Sequence, residues 1–253
     1  MNVLQLYQAL CERIPPSLSC EWDNDGLMCC PDPDREVRRV LVCLDATAAM
    51  VQKAIDERFD VILTHHPLVF HKLPALEPSD HVARKLIRLT RAGIAVMSFH
   101  TRLDALSGGV NDVLAARLGL MDAVPYGEEG IGRIGRLPKP TTLADFAETV
   151  KRALRVPCVV AADAGVPVYR VAVLGGNGSD DVRLTEAAGA DTYVTGEIAH
   201  HHLTDAPERG MNLIAAGHFH TEDPVCAALA EMVRGIAPAA KTELADSNPI
   251  RVI

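Results

Sequence analysis

Short apolar runs rich in β-branched residues alternate along this chain with helix-like stretches, and that alternation constrains the fold more than any other feature. Val40–Leu44 reads VLVCL, Val61–Leu63 VIL, Ile94–Met97 IAVM, Val171–Leu174 VAVL, Thr192–Val194 TYV and Asn212–Ala215 NLIA. Between and around them the spacing predicts helices over about 47–58, 81–91, 109–118, 141–154, 181–188, 198–209 and 224–235, with an amphipathic helix starting in Met1–Leu10. Ser107 or Gly108 is expected near the cap of the third of these and Gly119 at its end, with Thr141 or Thr142 capping the fourth. Apolar runs this short and continuous suit strands buried on both faces, and intervening helices make βαβ units with parallel strands. The expected fold class is α/β, in three layers.

The alternation occurs twice. A shift of 131 residues lays Val40 on Val171, Val42 on Val173, Asp60 on Asp191 and Thr64 on Thr195 without a gap. Read as an internal duplication, this gives two similar lobes, 1–125 and 126–240, with a final strand near 241–253 joining the first. Met121–Pro140, rich in Gly and Pro, reads as the transition between them. Chance likeness between two βαβ units is the competing explanation. Under duplication, a ligand site is expected in the cleft between the lobes.

Composition narrows the partners. A net charge of −8 argues against nucleic acid or an anionic membrane surface. No apolar run approaches the ~18 residues of a membrane span, and the amino terminus does not read as a secretory signal. The seven cysteines are odd in number and show no CxxC pairing, which suits reduced thiols and a cytoplasmic setting.

In open parallel sheets ligands bind beyond the carboxyl ends of the strands. The unusual histidines fall there: His65-His66-Pro67 after VILT, His100 and then Asp104 after IAVMSF, Glu197 and then His200 to His202 after TYVTG, and His218 and Glu222 after NLIAAG. Adjacent side chains on a strand face opposite ways, so His65 and His66 share a site only if the strand has ended, as Pro67 favours. His218 and Glu222 stand one helical turn apart. Imidazoles and carboxylates are ligands that zinc, iron, manganese, nickel and cobalt all accept, and three histidines with two acids suffice for two ions that share ligands. His71 and His81 read as surface residues and His200 to His202 as the start of a helix. Gly175-Gly176-Asn177-Gly178-Ser179 could cradle a phosphate, but it lacks the Walker lysine and the full dinucleotide fingerprint, so it reads as a tight turn.

Over nearly its whole length the chain resembles the Nif-three-like dinuclear metal-centre proteins, also labelled GTP cyclohydrolase 1 type 2 homologues. The likeness rests on Trp22-Asp23-Asn24-Asp25-Gly26-Leu27, Thr64-His65-His66-Pro67-Leu68, His100-Thr101-Arg102-Leu103-Asp104 and Gly108-Gly109-Val110-Asn111-Asp112. Gly132-Arg133-Ile134-Gly135, Thr195-Gly196-Glu197 and Gly217-His218-Phe219-His220-Thr221-Glu222 complete it. The resemblance implies His65, His66, Asp104, His218 and Glu222 as ligands of two divalent ions, the five residues that spacing also selects. His100 resembles a residue lining the same site and is the candidate for proton transfer or for orienting its neighbours; no role is carried onto His220. A homohexameric ring is implied as well, without the central domain inserted in longer relatives. The chemistry expected is metal-dependent hydrolysis of a small molecule, a nucleotide or phosphoester, by a metal-bridging hydroxide. The alternative is a non-catalytic metal-handling or regulatory scaffold in the same ring.

Overall fold

In the computed structural model, which describes residues 1–127 and 130–251, the chain forms two compact units, Met1–Leu103 with Cys226–Arg251, and Asp104–Val225. In chain order the first unit contains α1 (Val3–Arg13), β1 (Gly26–Cys29), β2 (Arg39–Cys43), α2 (Ala48–Asp56), β3 (Val61–Thr64), α3 (His81–Ala92) and β4 (Ala95–Ser98). The short helix α4 (Thr101–Ala105) crosses the boundary. The second unit continues with α5 (Val110–Arg117), β5 (Met121–Tyr126), β6 (Gly132–Thr141), α6 (Leu143–Leu154), β7 (Val160–Ala162), β8 (Val168–Asn177), α7 (Val182–Ala187), β9 (Thr192–Glu197), α8 (His200–Glu208), β10 (Asn212–Ala215) and α9 (His218–Glu222). Then α10 (Pro224–Ile236) and β11 (Lys241–Leu244) return the chain to the first unit.

The first sheet runs β1-β4-β3-β2-β11 and the second β5-β6-β8-β9-β10-β7. Each is built on three parallel strands, β2-β3-β4 and β8-β9-β10. The expectation of parallel strands holds there and at the edge strand β11, and fails at the other edges and at β6. β1 is antiparallel to β4, β7 to β10, and β5 and β6 form an antiparallel pair beside β8. Met121–Pro140 is therefore sheet on both sides of its turn, not a transition, and its Glu128 and Glu129 lie outside the described residues. The strand expected in 241–253 is the four-residue β11, parallel to β2, and 252–253 lie outside the described residues.

Both faces of each sheet are covered, as the apolar runs demand. In the first unit Leu41, Cys43, Ile62 and Val96 pack with Val51 and Ala54 of α2 and Leu89 of α3. Val40, Val42, Val61, Leu63 and Met97, which alternate with them, are equally buried. In the second unit Val171, Val173, Val194 and Ile214 meet Leu114 of α5 and Phe146 and Val150 of α6. The opposite face sets Ala172, Leu174, Tyr193 and Leu213 against Val182 of α7 and Ala206 of α8. Leu114, Ala115 and Leu118 belong to that second core, so the compact units divide at 103/104 and 225/226, where the sequence suggested 125/126 and 240. Caps follow the local chemistry: Thr142 accepts from the amide of Asp145 at the start of α6, while α5 is preceded by Gly109, one or two residues later than expected.

The 131-residue repeat is written in the hydrogen bonds. Val40 pairs with Val61 as Val171 pairs with Thr192. Asp60 accepts from the amides of Arg38 (2.8 Å) and Arg39 (2.9 Å), and Asp191 accepts from the amides of Tyr169 (3.1 Å) and Arg170 (2.6 Å), the same positions one repeat later. The amide of Phe99 donates to Thr64 O and that of Ala216 to Thr195 O, closing both third strands alike. Chance likeness between two βαβ units would not reproduce this register and these brackets.

Asp60 is buried and also pairs with Arg35 at 2.8 Å, whereas the Asp191 bonds are solvent-exposed. Asp60→Ala is therefore expected to destabilise the protein by about 2–4 kcal/mol, because two strand amides lose their acceptor. Asp191→Ala should cost less than half of that. Urea unfolding of both variants tests the ranking, and equal losses would contradict it.

Candidate metal centre

β3 ends at Thr64, so His65 and His66 lie on irregular backbone, turned by Pro67, and their rings come within 4.9 Å of each other, centroid to centroid. His100 follows β4 and joins them, with centroids 5.3 Å from His65 and 5.9 Å from His66. One ligand nitrogen from each of the three lies within 4.8 Å of the others, a group that could hold a metal ion.

Each ring is oriented through Nδ1. His65 Nδ1 lies 2.9 Å from the carbonyl of Phe99, His66 Nδ1 2.8 Å from Asp45 Oδ1, and His100 Nδ1 2.9 Å from Asp23 Oδ1. An oxygen acceptor at Nδ1 selects the tautomer in which Nδ1 carries the proton and Nε2 the lone pair. This is the arrangement that fixes metal-ligating imidazoles, with Nε2 as the ligand atom. The donor set therefore fits a divalent ion.

The supports come from parts of the chain to which the sequence assigned no chemistry. The Asp23 side chain has no exposed surface, and it accepts from His100 Nδ1, Thr101 N (3.0 Å), Thr101 Oγ1 (2.7 Å) and Asn24 N (2.8 Å). Burial alone would raise its pKa. The hydrogen bonds from His100 and Thr101 outweigh that and hold the carboxyl well below its usual range. Asp25 accepts from His100 N (3.2 Å) and from Nε of the buried Arg102 (2.8 Å), whose guanidinium lies 4.4 Å above the Phe99 ring. Asp45 reaches His66 from the end of β2. The one signal in the sequence was the Trp22–Leu27 motif, which carried a resemblance but no role.

In the second unit His218 and Glu222 stand on one side of α9, with Nε2 and Oε2 3.1 Å apart, and Glu197 Oε1 lies 3.2 Å from His218 Nδ1. Asp104 lies on α4, where its carbonyl accepts from Asn111 Nδ2 at 3.4 Å, and Asn111 Oδ1 in turn accepts from Gly175 N at 2.8 Å. The glycines of the 175–178 segment have a structural purpose here. A Cβ on Gly176, whose φ is +70°, would stand 2.2 Å from Glu222 Oε1, and one on Gly196 would stand 2.7 Å from the Cα of His218. Close approach of backbone to ligand-type side chains accounts for this turn. Thr221 Oγ1 accepts from Gly176 N at 3.0 Å and fixes the turn to α9. His200 to His202 sit at the start of α8, where burial lowers the His202 pKa, and His220 packs against Phe219.

Two α/β units, each presenting imidazole or carboxylate groups at the carboxyl ends of parallel strands, define a class of duplicated α/β proteins with side chains at strand ends that could hold a metal ion. Within that class the chain belongs to the Duf34/NIF3 (NGG1p interacting factor 3) family, whose model matches residues 1–248. It is 34% identical over 227 residues to a Clostridium perfringens protein named GTP cyclohydrolase 1 type 2 homolog, covering 87% of this chain and 86% of that one. A Nostoc protein of the same name is 35% identical over 224 residues, covering 86% and 83%. Among solved structures, the Staphylococcus aureus hypothetical protein SA1388 superposes with a TM-score of 0.90 at 26% identity, covering 100% of this chain and 99% of that one.

Gly176→Ala is expected to push the Glu222 carboxylate aside and to destabilise the protein by about 1–3 kcal/mol. Gly108→Ala is the control for backbone strain alone, since φ there is +80° with nothing within 4 Å. Thermal unfolding that shifts no further for Gly176→Ala than for Gly108→Ala would show that Glu222 does not need this approach.

Proposed function

We propose that the protein binds two divalent metal ions through His65, His66, Asp104, His218 and Glu222 and hydrolyses a small molecule, a nucleotide or phosphoester. The observation that carries this reading is the set of three imidazoles held through Nδ1 by three different oxygens. Three rings held in this way, each offering a ligand atom within 4.8 Å of the others, suit a shared ion. The two carboxylates, which the family resemblance adds to the set, supply the negative charge that a pair of divalent ions calls for.

Bound divalent ions supply Lewis acidity and acidify water, the chemistry of hydrolysis at neutral pH. The chain's own part is positional. Asp45 and the Phe99 carbonyl aim His66 and His65, while Glu197 lies against His218 Nδ1. His100, held by Asp23, is assigned to proton transfer or to orienting its neighbours through Nε2. The relatives named GTP cyclohydrolase 1 type 2 homolog make opening of a guanine ring one candidate within this class. The family resemblance also supports a homohexameric ring and a cytoplasmic setting. No helix among the described residues is long and apolar enough to cross a membrane.

Metal analysis of the purified protein beside Asp104→Ala and His66→Ala, together with a hydrolysis screen of nucleotides and phosphoesters, tests the reading. Bound metal in the parent, and loss of both metal and turnover in the variants, is expected. Full metal content in both variants would sink the ligand assignment, and metal without turnover of any substrate would favour the scaffold. Asp45→Ala should weaken metal affinity by roughly 10- to 100-fold, because His66 loses the acceptor that orients it. An unchanged affinity in a competition titration would remove Asp45 from the site.

A further inference from the structure

Aromatic residues make up only 4% of the chain, with one tryptophan and five phenylalanines. Phe59, Phe99 and Phe146 are spent in the cores. The single tryptophan is not: Trp22 is 63% exposed, and Phe70 beside it is 43% exposed. Both stand against His100. Ring centroids lie 6.3 Å apart for Trp22 and His100, 5.9 Å for Phe70 and His100, and 6.3 Å for Trp22 and Phe70, with interplanar angles of 80°, 89° and 77°. Three rings, each nearly perpendicular to the other two, form a corner at the edge of the histidine group.

Trp22 is held in place. The amide of Asp23 donates to Cys20 O at 3.0 Å, and that of Cys20 to Thr101 Oγ1 at 2.9 Å, so the backbone is fixed on both sides of the indole. Asn24 Nδ2 donates to the carbonyl of Val69, joining the two loops that carry Trp22 and Phe70. A large apolar ring left mostly in water contributes little of its possible burial to folding, because burial is what stabilises it. It is preorganised for a ligand, and stacking on an indole suits any flat π-system.

We propose that Trp22 and Phe70 form an aromatic platform in which the Trp22 face stacks a flat heteroaromatic ring of the substrate and Phe70, at 77° to the indole, meets that ring edge-on, so that the molecule turned over beside the histidines is a nucleobase-bearing one and not a simple phosphoester. This rests on the hydrolase reading above for the word substrate, but ring binding is measured without turnover.

As the only tryptophan, Trp22 reports on itself. Adenosine 5′-monophosphate titrated into the intact protein is expected to quench its emission with saturation, and ribose 5-phosphate to leave it unchanged. Phe70→Leu keeps the reporter and should weaken adenosine 5′-monophosphate binding several-fold. Trp22→Leu, measured by equilibrium dialysis, should weaken it roughly 5- to 100-fold, with Trp22→Phe recovering most of the loss. Metal content should equal that of the parent in all three. The proposal is overturned if both ligands bind alike, if the variants bind adenosine 5′-monophosphate as the parent does, or if Trp22 is already shielded from acrylamide without ligand, which would mean that a second copy of the chain covers it. A parent that holds no metal but discriminates between the two ligands would overturn the hydrolase reading and leave the platform standing. Metal and turnover without discrimination would do the reverse.

Discussion

A carboxylate taken fully out of water must be met by donors, and Asp23 is met by four. Three of them belong to His100 and Thr101, so one buried acid sets the ring of His100, the turn into α4 and the path of the loop that carries Trp22. Asp25, two residues on, accepts from the amide of His100 and from Arg102, a guanidinium buried to 1%. Removing either partner of such a pair leaves a charge stranded in the interior, at a cost of about 3–5 kcal/mol. The segment after β4 is thus tied down twice by side chains from the segment before β1. Loops that place ligand atoms are the mobile parts of many proteins, and here the charge is spent on preventing that mobility.

The sequence made the parallel strands legible because all four residues of β3 and of β4 are buried, so each reads as an unbroken apolar run. It hid the antiparallel strands. β6, GRIGRLPKPT, lies between β5 and β8 and contains two prolines and two glycines; its first four residues are buried, and both prolines fall where its register with β8 is broken. β7 has three residues, and β1 is partly exposed. Edge strands such as β5 and irregular stretches such as the end of β6 tolerate the residues that announce loops, which is why Met121–Pro140 read as a transition. The helices α4 and α9 were invisible for another reason: five residues span too little for a period to show.

Legibility of the site divides along the same line. His65, His66, His100, His218 and Glu222 were singled out because each stands at or just after the end of an apolar run. Asp23, Asp25 and Asp45 were not, since an acid in a loop is ordinary and what singles it out is a partner 77 or 21 residues away. Trp22 and Phe70 stand at the same disadvantage, because exposure is a property of the fold and not of the local sequence.

The duplication explains how one scaffold came to offer two kinds of donor. One repeat on from Thr64-His65-His66 stand Thr195-Gly196-Glu197, and both threonine carbonyls accept from the third strand in the same way. What differs is what lies above. In the first unit the two positions after the threonine carry imidazoles, His65 and His66. In the second, α9 descends on the strand end so that a Cβ at Gly196 would collide with the backbone of His218. Gly176 O, 2.4 Å from that Cβ, and the α9 backbone together force the glycine, and the following residue, Glu197, is a carboxylate facing His218 Nδ1 instead of a second imidazole. Ligands in the first unit thus come from the strand end itself, while in the second they come from the helix that packs on it. A substitution that lifted α9 would still leave Gly196 against the Gly176 carbonyl of β8, so a side chain at Gly196 is closed off twice, once by the neighbouring strand and once by the helix.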